Sequence, residues 1–211
     1  VLLDATALLL LLNEKTLGPL HPETKLPIAD AHERIEDAVN KIRERGEQII
    51  IASPVLAELL VRAENAASPY LELFNKSAHF RPVPFDQKAA ITHAEYTRKA
   101  IDAGEEKTES KCKVKFDRQI VAIAKAEGAD TIYTDDDGLA RHATTQGIKV
   151  IRTHEIVMNK QPDLFTGILE VIANGKADET AISEANTKGE TVVETVPPPR
   201  SAMLEPNKTQ N

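Results

Sequence analysis

The chain has 211 residues, 33 acidic against 26 basic for a net charge of −7, and 41% of them are hydrophobic. That length supports one or two domains with a core of their own, and a single cysteine with six histidines in no His-x-His or His-x-x-x-His pairing excludes disulfide scaffolds and zinc fingers. The acidic balance and the lack of tryptophan exclude a general nucleic-acid coat, so any nucleic-acid contact must be local or bridged by a cation.

The Leu-rich start, VLLDATALLLLL, is broken by Asp4 and has no basic stretch before it. It therefore reads as a buried strand, Val1 to Asp4, running into a buried helix from Ala7 to Leu12, and not as a membrane span or a signal peptide. With one cysteine, a reducing and cytoplasmic setting is expected. Leu17 to Pro27 is a Pro- and Gly-containing loop. From Ile28, the apolar positions Ala31, Ile35, Ala38, Val39 and Ile42 recur at helical spacing and stop at Gly46. Gln48 to Ala52 is a buried strand. Ser53-Pro54 then supplies an N-cap and a first-turn proline for a helix through Glu64, and Ser68-Pro69 repeats the device for a helix through Asn75. Phe80 to Phe85 is extended, with prolines that confine it to an edge or a loop. Asp86 caps a helix running to about Ala103.

Gly104 to Lys115 is polar and lysine-rich and reads as a surface loop before a helix from Asp117 to Glu127, closed by Gly128. Thr131 to Thr134 is a strand, Gly138 to Thr145 a short helix, and Lys149 to Ile151 a last strand. Short apolar strands alternating with helices predict an α/β fold, a three-layer sandwich with a central, mostly parallel sheet. Right-handed crossovers then bring the C-terminal ends of all strands to one rim. The domain spans residues 1–155. A helix over Pro162 to Ala173, within 156–175, and a disordered polar tail over 176–211 follow it.

Acids at four places in the chain, five residues in all, stand apart from the solvated charges on helix faces. Asp4 ends the first strand, Asp135 and Asp136 follow the strand TIYT, Glu58 sits one turn into the helix after QIIIA, and Asp117 opens a later helix. Asp117 also suits an N-cap, the run Asp135 to Asp137 suits a turn, and Glu58 taken alone suits an exposed helix face. Taken together, the fold places all of these acids around the rim where ligands bind in open α/β sheets. Carboxylates about 4 Å apart repel by a few kcal/mol per pair at an effective dielectric near ~20, so such a cluster takes up protons or binds a cation. All-oxygen donors select a hard ion such as Mg²⁺ or Mn²⁺, the usual apparatus for phosphodiester chemistry.

The order VLLDATALL, SPVLAELL and KFDRQIVAIAKAEGADTIYTDDDGL resembles the PIN domain, the nuclease fold that includes the VapC-like ribonuclease toxins. The resemblance covers roughly Val1 to Thr153. It implies an endoribonuclease that hydrolyses RNA with a metal-activated water, with Asp4, Glu58, Asp117 and Asp136 as catalytic metal ligands. Asp135 is implied as a neighbour or substitute, and Thr6 and Thr134 as auxiliary groups. The spacing from Thr134 to Leu139 favours Asp136 over Asp135. Members of the VapC-like group are commonly paired with an antitoxin that covers the metal site, so an antitoxin or other regulatory protein is an expected partner. Two features depart from the compact toxins: a longer helical region over Leu17 to Arg45, and the extension from Ile156.

The densest basic patch, Lys107, Lys111, Lys113 and Lys115 with Arg118, adjoins the acids and is either the contact for RNA phosphates or a solvated loop with no specific partner. Two alternatives compete with the ribonuclease. One is a haloacid-dehalogenase-like phosphohydrolase with Asp4 as nucleophile, weakened because Thr6 stands where such enzymes carry a second Asp. The other is a non-catalytic PIN-like module for RNA binding or assembly. The helix over Pro162 to Ala173 either packs on its own domain or offers a surface for a homodimer or a docking partner. Net charge discriminates poorly among these readings: from Ile156 on there are 8 acidic and 5 basic residues, and the rim acids are balanced by whatever cation they hold.

Overall fold

The computed structural model describes residues 1–104 and 111–158. The expected helix over Pro162 to Ala173 and the tail from Lys176 lie outside them. A five-stranded sheet has the order β3-β2-β1-β4-β5, where β1 is Leu2–Leu3, β2 Ile49–Ala52, β3 Phe80–Val83, β4 Thr131–Tyr133 and β5 Lys149–Ile151. All four pairings are parallel, with Leu2 opposite both Ile50 and Ile132, Ile49 opposite Phe80, and Ile132 opposite Val150. Helices flank the sheet, which is the α/β architecture the alternation of elements predicts.

β1 is central and its two residues are fully enclosed, which is why a strand this short begins a run of leucines. Helix α1, Ala5–Leu12, follows without a loop, and every residue of it except Thr6 is buried. It packs on α2, Ala31–Glu44, and on α3, Ser53–Ala63. The apolar stripe of α2, from Ala31 to Ile42, is buried as its spacing requires. In the loop before α2, Gly18 passes so close to the chain that a Cβ there would stand 2.5 Å from the Ile28 carbonyl oxygen. β3 is an edge strand, and its exposed Pro82 costs no ladder hydrogen bond on the open side.

Three helix starts differ from the sequence reading. Ser53 and Ser68 are not caps. Ala52 precedes α3, and Ser53 is its first residue, with its hydroxyl accepting from the Phe85 amide at 3.2 Å. Ser68 lies inside α4, Ala67–Lys76, which a short 3₁₀ turn over Glu64–Ala66 joins directly to α3. Serine before proline marks a helix start but does not fix which residue caps it, since proline is accepted in any early position of the first turn. Asp86, by contrast, caps α5, Gln87–Asp102, by accepting from the Ala89 amide at 2.9 Å.

The third difference bears on function. Helix α6 runs over Lys111–Ala126, so Asp117 lies in its second turn and does not open it. Residues 111–117 contain no glycine or proline to stop the helix, and Lys113 and Asp117, four apart, form an ion pair across one turn. Helix α7, Asp137–Thr145, completes the domain, packing on α6 and β5.

Candidate active site

The strand order puts the ends of β1 and β4 side by side, and the site is built on that adjacency. Asp4 follows β1 and is at once the N-cap of α1: its Oδ1 accepts from the Ala7 amide at 2.7 Å. It is 5% exposed. Thr134, the residue after β4 and also buried, donates its hydroxyl to Asp4 Oδ2 at 2.5 Å and accepts from the Asp136 amide at 3.0 Å. One hydroxyl thus joins the two acids that the chain order separates by more than half its length.

Burial pushes the Asp4 carboxyl up to about 7 from an ordinary 3.8. The hydrogen bonds from Ala7 and Thr134 oppose that rise, while the nearby charges of Asp135 and Glu58 add to it. Among the described residues, the groups that act most on Asp4 are thus two hydrogen-bond donors and two like charges, with no cation among them. Asp136 has the opposite balance. It caps α7 by accepting from the Leu139 amide at 2.9 Å, and the Lys113 ammonium stands 2.9 Å from the same Oδ1. Burial raises its pKa, but Lys113 and the α7 amides outweigh burial and hold it below the usual carboxylate range. The same ammonium is 3.5 Å from Asp117 Oδ2, and Asp117 is 7% exposed. A single lysine therefore spans two of the candidate acids.

Asp135 faces differently. Its carboxylate accepts from the Thr153 amide at 3.1 Å and the Thr153 hydroxyl at 2.5 Å, and its carbonyl accepts from Arg152 at 3.0 Å. Thr153 is buried and Arg152 also pairs with Asp137 at 2.8 Å. Neither residue belongs to the set of acids and lysines that the sequence marks. Their signal was available, since Arg152-Thr153 directly follows β5, the strand beside β4.

The PIN-domain family model matches residues 28–144. This chain belongs to the PIN-domain family. The matched span contains Glu58, Asp117, Asp135 and Asp136, while Asp4 precedes it. A solved structure to which the chain is similar is VapBC2 from Rickettsia felis bound to a DNA fragment from its promoter, at 16% identity and TM-score 0.47, covering 72% of this chain and 96% of that one. No curated protein matches it.

Within the PIN domain, the remaining candidates fall as follows. Glu58, on the second turn of α3, is exposed and paired with Arg62 at 2.7 Å, yet close enough for its charge to be felt at Asp4. Thr6 is the one half-buried residue of α1, in the first turn behind Asp4. Lys115 is exposed, and Arg118 lies with its guanidinium carbon 5.3 Å from the centre of the Tyr96 ring. His93 feels both cations: burial first, then Arg118 and Lys115, push its pKa down. Lys107 and the side chain of Lys111 lie outside the described residues.

Among the described residues, no three Asp, Glu, His or Cys side chains stand close enough to ligate one ion as they are placed. The chemistry of the donors nevertheless fits a hard divalent cation. They are carboxylates and hydroxyls only, one of them is buried with its pKa raised, and two share an ammonium. Among the described residues, no helix is long and apolar enough to cross a membrane.

Proposed function

We propose that this PIN domain is a divalent-metal-dependent endoribonuclease, with Asp4, Glu58, Asp117 and Asp136 holding Mg²⁺ or Mn²⁺ and Asp135 alongside them. The observation that carries this reading is Asp4: a buried carboxylate with its pKa raised to about 7, beside further acids whose charges raise it. A fold retains so costly an arrangement where a cation offsets it. When bound, the metal supplies a water of lowered pKa as nucleophile and stabilises the charge that develops on the phosphate.

The chain's own residues have separable tasks. Thr134 holds Asp4 in one rotamer through the 2.5 Å hydrogen bond and ties it to the start of α7. Thr153 and Arg152 fix the backbone and carboxylate of Asp135, which keeps that acid's charge near the site. Lys115 and Arg118 on α6 hold RNA phosphates on the surface next to the acids. A cytoplasmic site of action, an antitoxin-like protein that covers the rim, and a homodimer belong to the same reading.

The test is cleavage of structured and single-stranded RNAs in Mn²⁺ by the wild type and Asp4→Asn. Cleavage should be lost in the variant and in excess EDTA, and restored to the wild type by added Mn²⁺. Undiminished cleavage by the variant, or full activity in EDTA, refutes the mechanism. RNA binding without cleavage by the wild type would favour the non-catalytic module.

A further inference from the structure

The ammonium of Lys113 occupies the place of a cation. It lies 2.9 Å from Asp136 Oδ1 and 3.5 Å from Asp117 Oδ2, spanning two of the acids assigned above to the metal. Asp136 is positioned independently of it, by the Leu139 amide and by its own amide on Thr134, while Asp117, in the second turn of α6, pairs with it across one turn. The lysine is the adjustable member. Its side chain is 41% exposed and sits one turn before Asp117, so it can withdraw into water by rotating about its own bonds, with no movement of the backbone.

We infer that Lys113 is a resident counter-ion that competes with the divalent metal, so that the site fills only at metal concentrations sufficient to displace it. The inference rests on the metal-dependent reading above and adds its regulation. A monovalent ammonium and a divalent ion cannot both take the Asp136 Oδ1 lone pair that faces Lys113, because Leu139 N–H holds another and two cations at contact distance repel. Lysine suits the role: a compact charge on a flexible stem, lacking the bidentate grip with which arginine would lock a carboxylate. With Lys113 in place, one of the two negative charges on Asp117 and Asp136 is offset in the metal-free domain. Among the described residues, the groups that act most on Asp4 include no cation, and its pKa stays raised.

The experiment is Mn²⁺ binding to the full chain by calorimetry, comparing wild type, Lys113→Gln and Lys113→Arg, with thermal melts in EDTA and in Mn²⁺. Removing the competing charge should tighten Mn²⁺ binding by about tenfold, the low end of what Coulomb's law allows for a partly exposed charge at this distance. Lys113→Arg should bind no more tightly than wild type. In EDTA, Lys113→Gln should melt below wild type, and its gain on adding Mn²⁺ should be the larger of the two. Unchanged or weaker Mn²⁺ binding by Lys113→Gln, with the variant folded by circular dichroism, overturns the inference while leaving the nuclease reading intact. A wild type that binds no Mn²⁺ overturns both.

Discussion

Asp4→Asn, proposed above to abolish cleavage, should also make the metal-free domain more stable at neutral and alkaline pH. The substitution keeps the shape of the side chain and its cap, because the Asn oxygen can accept from the Ala7 amide as Asp4 does at 2.7 Å. What it removes is the cost of ionising a buried acid. With the pKa at about 7 in the folded state and 3.8 as the ordinary value, the folded chain holds a proton that the unfolded chain has released everywhere between those two pH values. Stability contributed by Asp4 is therefore complete below about 3.8, falls as pH rises through the window, and is gone above about 7. At about 1.4 kcal/mol per pH unit, the rise amounts to about 4 kcal/mol. Other carboxylates titrate in the same range, so the quantity to measure is the difference between wild type and Asp4→Asn in urea unfolding, in EDTA, at steps from pH 4 to pH 8.5. The wild type should lose several kcal/mol relative to the variant across that range, and Mn²⁺ should recover the loss in the wild type alone. A difference that stays flat from pH 4 to pH 8.5, or that moves in favour of the wild type, would refute the claim that Asp4 is a buried carboxylate held at the expense of the fold.

Thr134→Val removes the hydroxyl that lowers the Asp4 pKa and leaves the Asp136 amide without its 3.0 Å acceptor, so it should cost about 1–3 kcal/mol and move the Asp4-linked pH transition upward. Thr134→Ser should restore both, and a Val variant whose transition stays in place would show that the hydroxyl does not tune Asp4. Leu10→Ala, at a fully enclosed position of α1, should destabilise the domain by about 2–5 kcal/mol in urea with no change in the Mn²⁺ affinity of the folded protein. A changed affinity would mean that the α1 core and the rim are coupled.

The parts of the fold that could be read from sequence are those where a local pattern and the tertiary structure demand the same residue. Asp4 is legible because a carboxylate after an apolar strand has few roles, and here it caps α1 and faces the rim. Pro82 is legible because only an edge strand tolerates it. The sequence pattern misplaces Asp117 because N-cap preference is a local signal, whereas α6 starts at Lys111 and is sustained through Lys113 and Asp117 by their pairing across a turn. The error propagates to function. Lys113 in a loop reads as a free cation for RNA, whereas Lys113 on a helix, four residues before Asp117, faces the acids. No sequence spacing links it to Asp136, since that contact depends on the packing of α6 against α7. The same holds for the Thr134 hydroxyl on Asp4, which requires β1 and β4 to be neighbours in the sheet although 130 positions separate them in the chain. The acids themselves are readable one by one. The charge balance among them, with Asp4 buried beside like charges and two acids sharing an ammonium, is set by these long-range contacts, and it is the balance that the proposed metal would have to change.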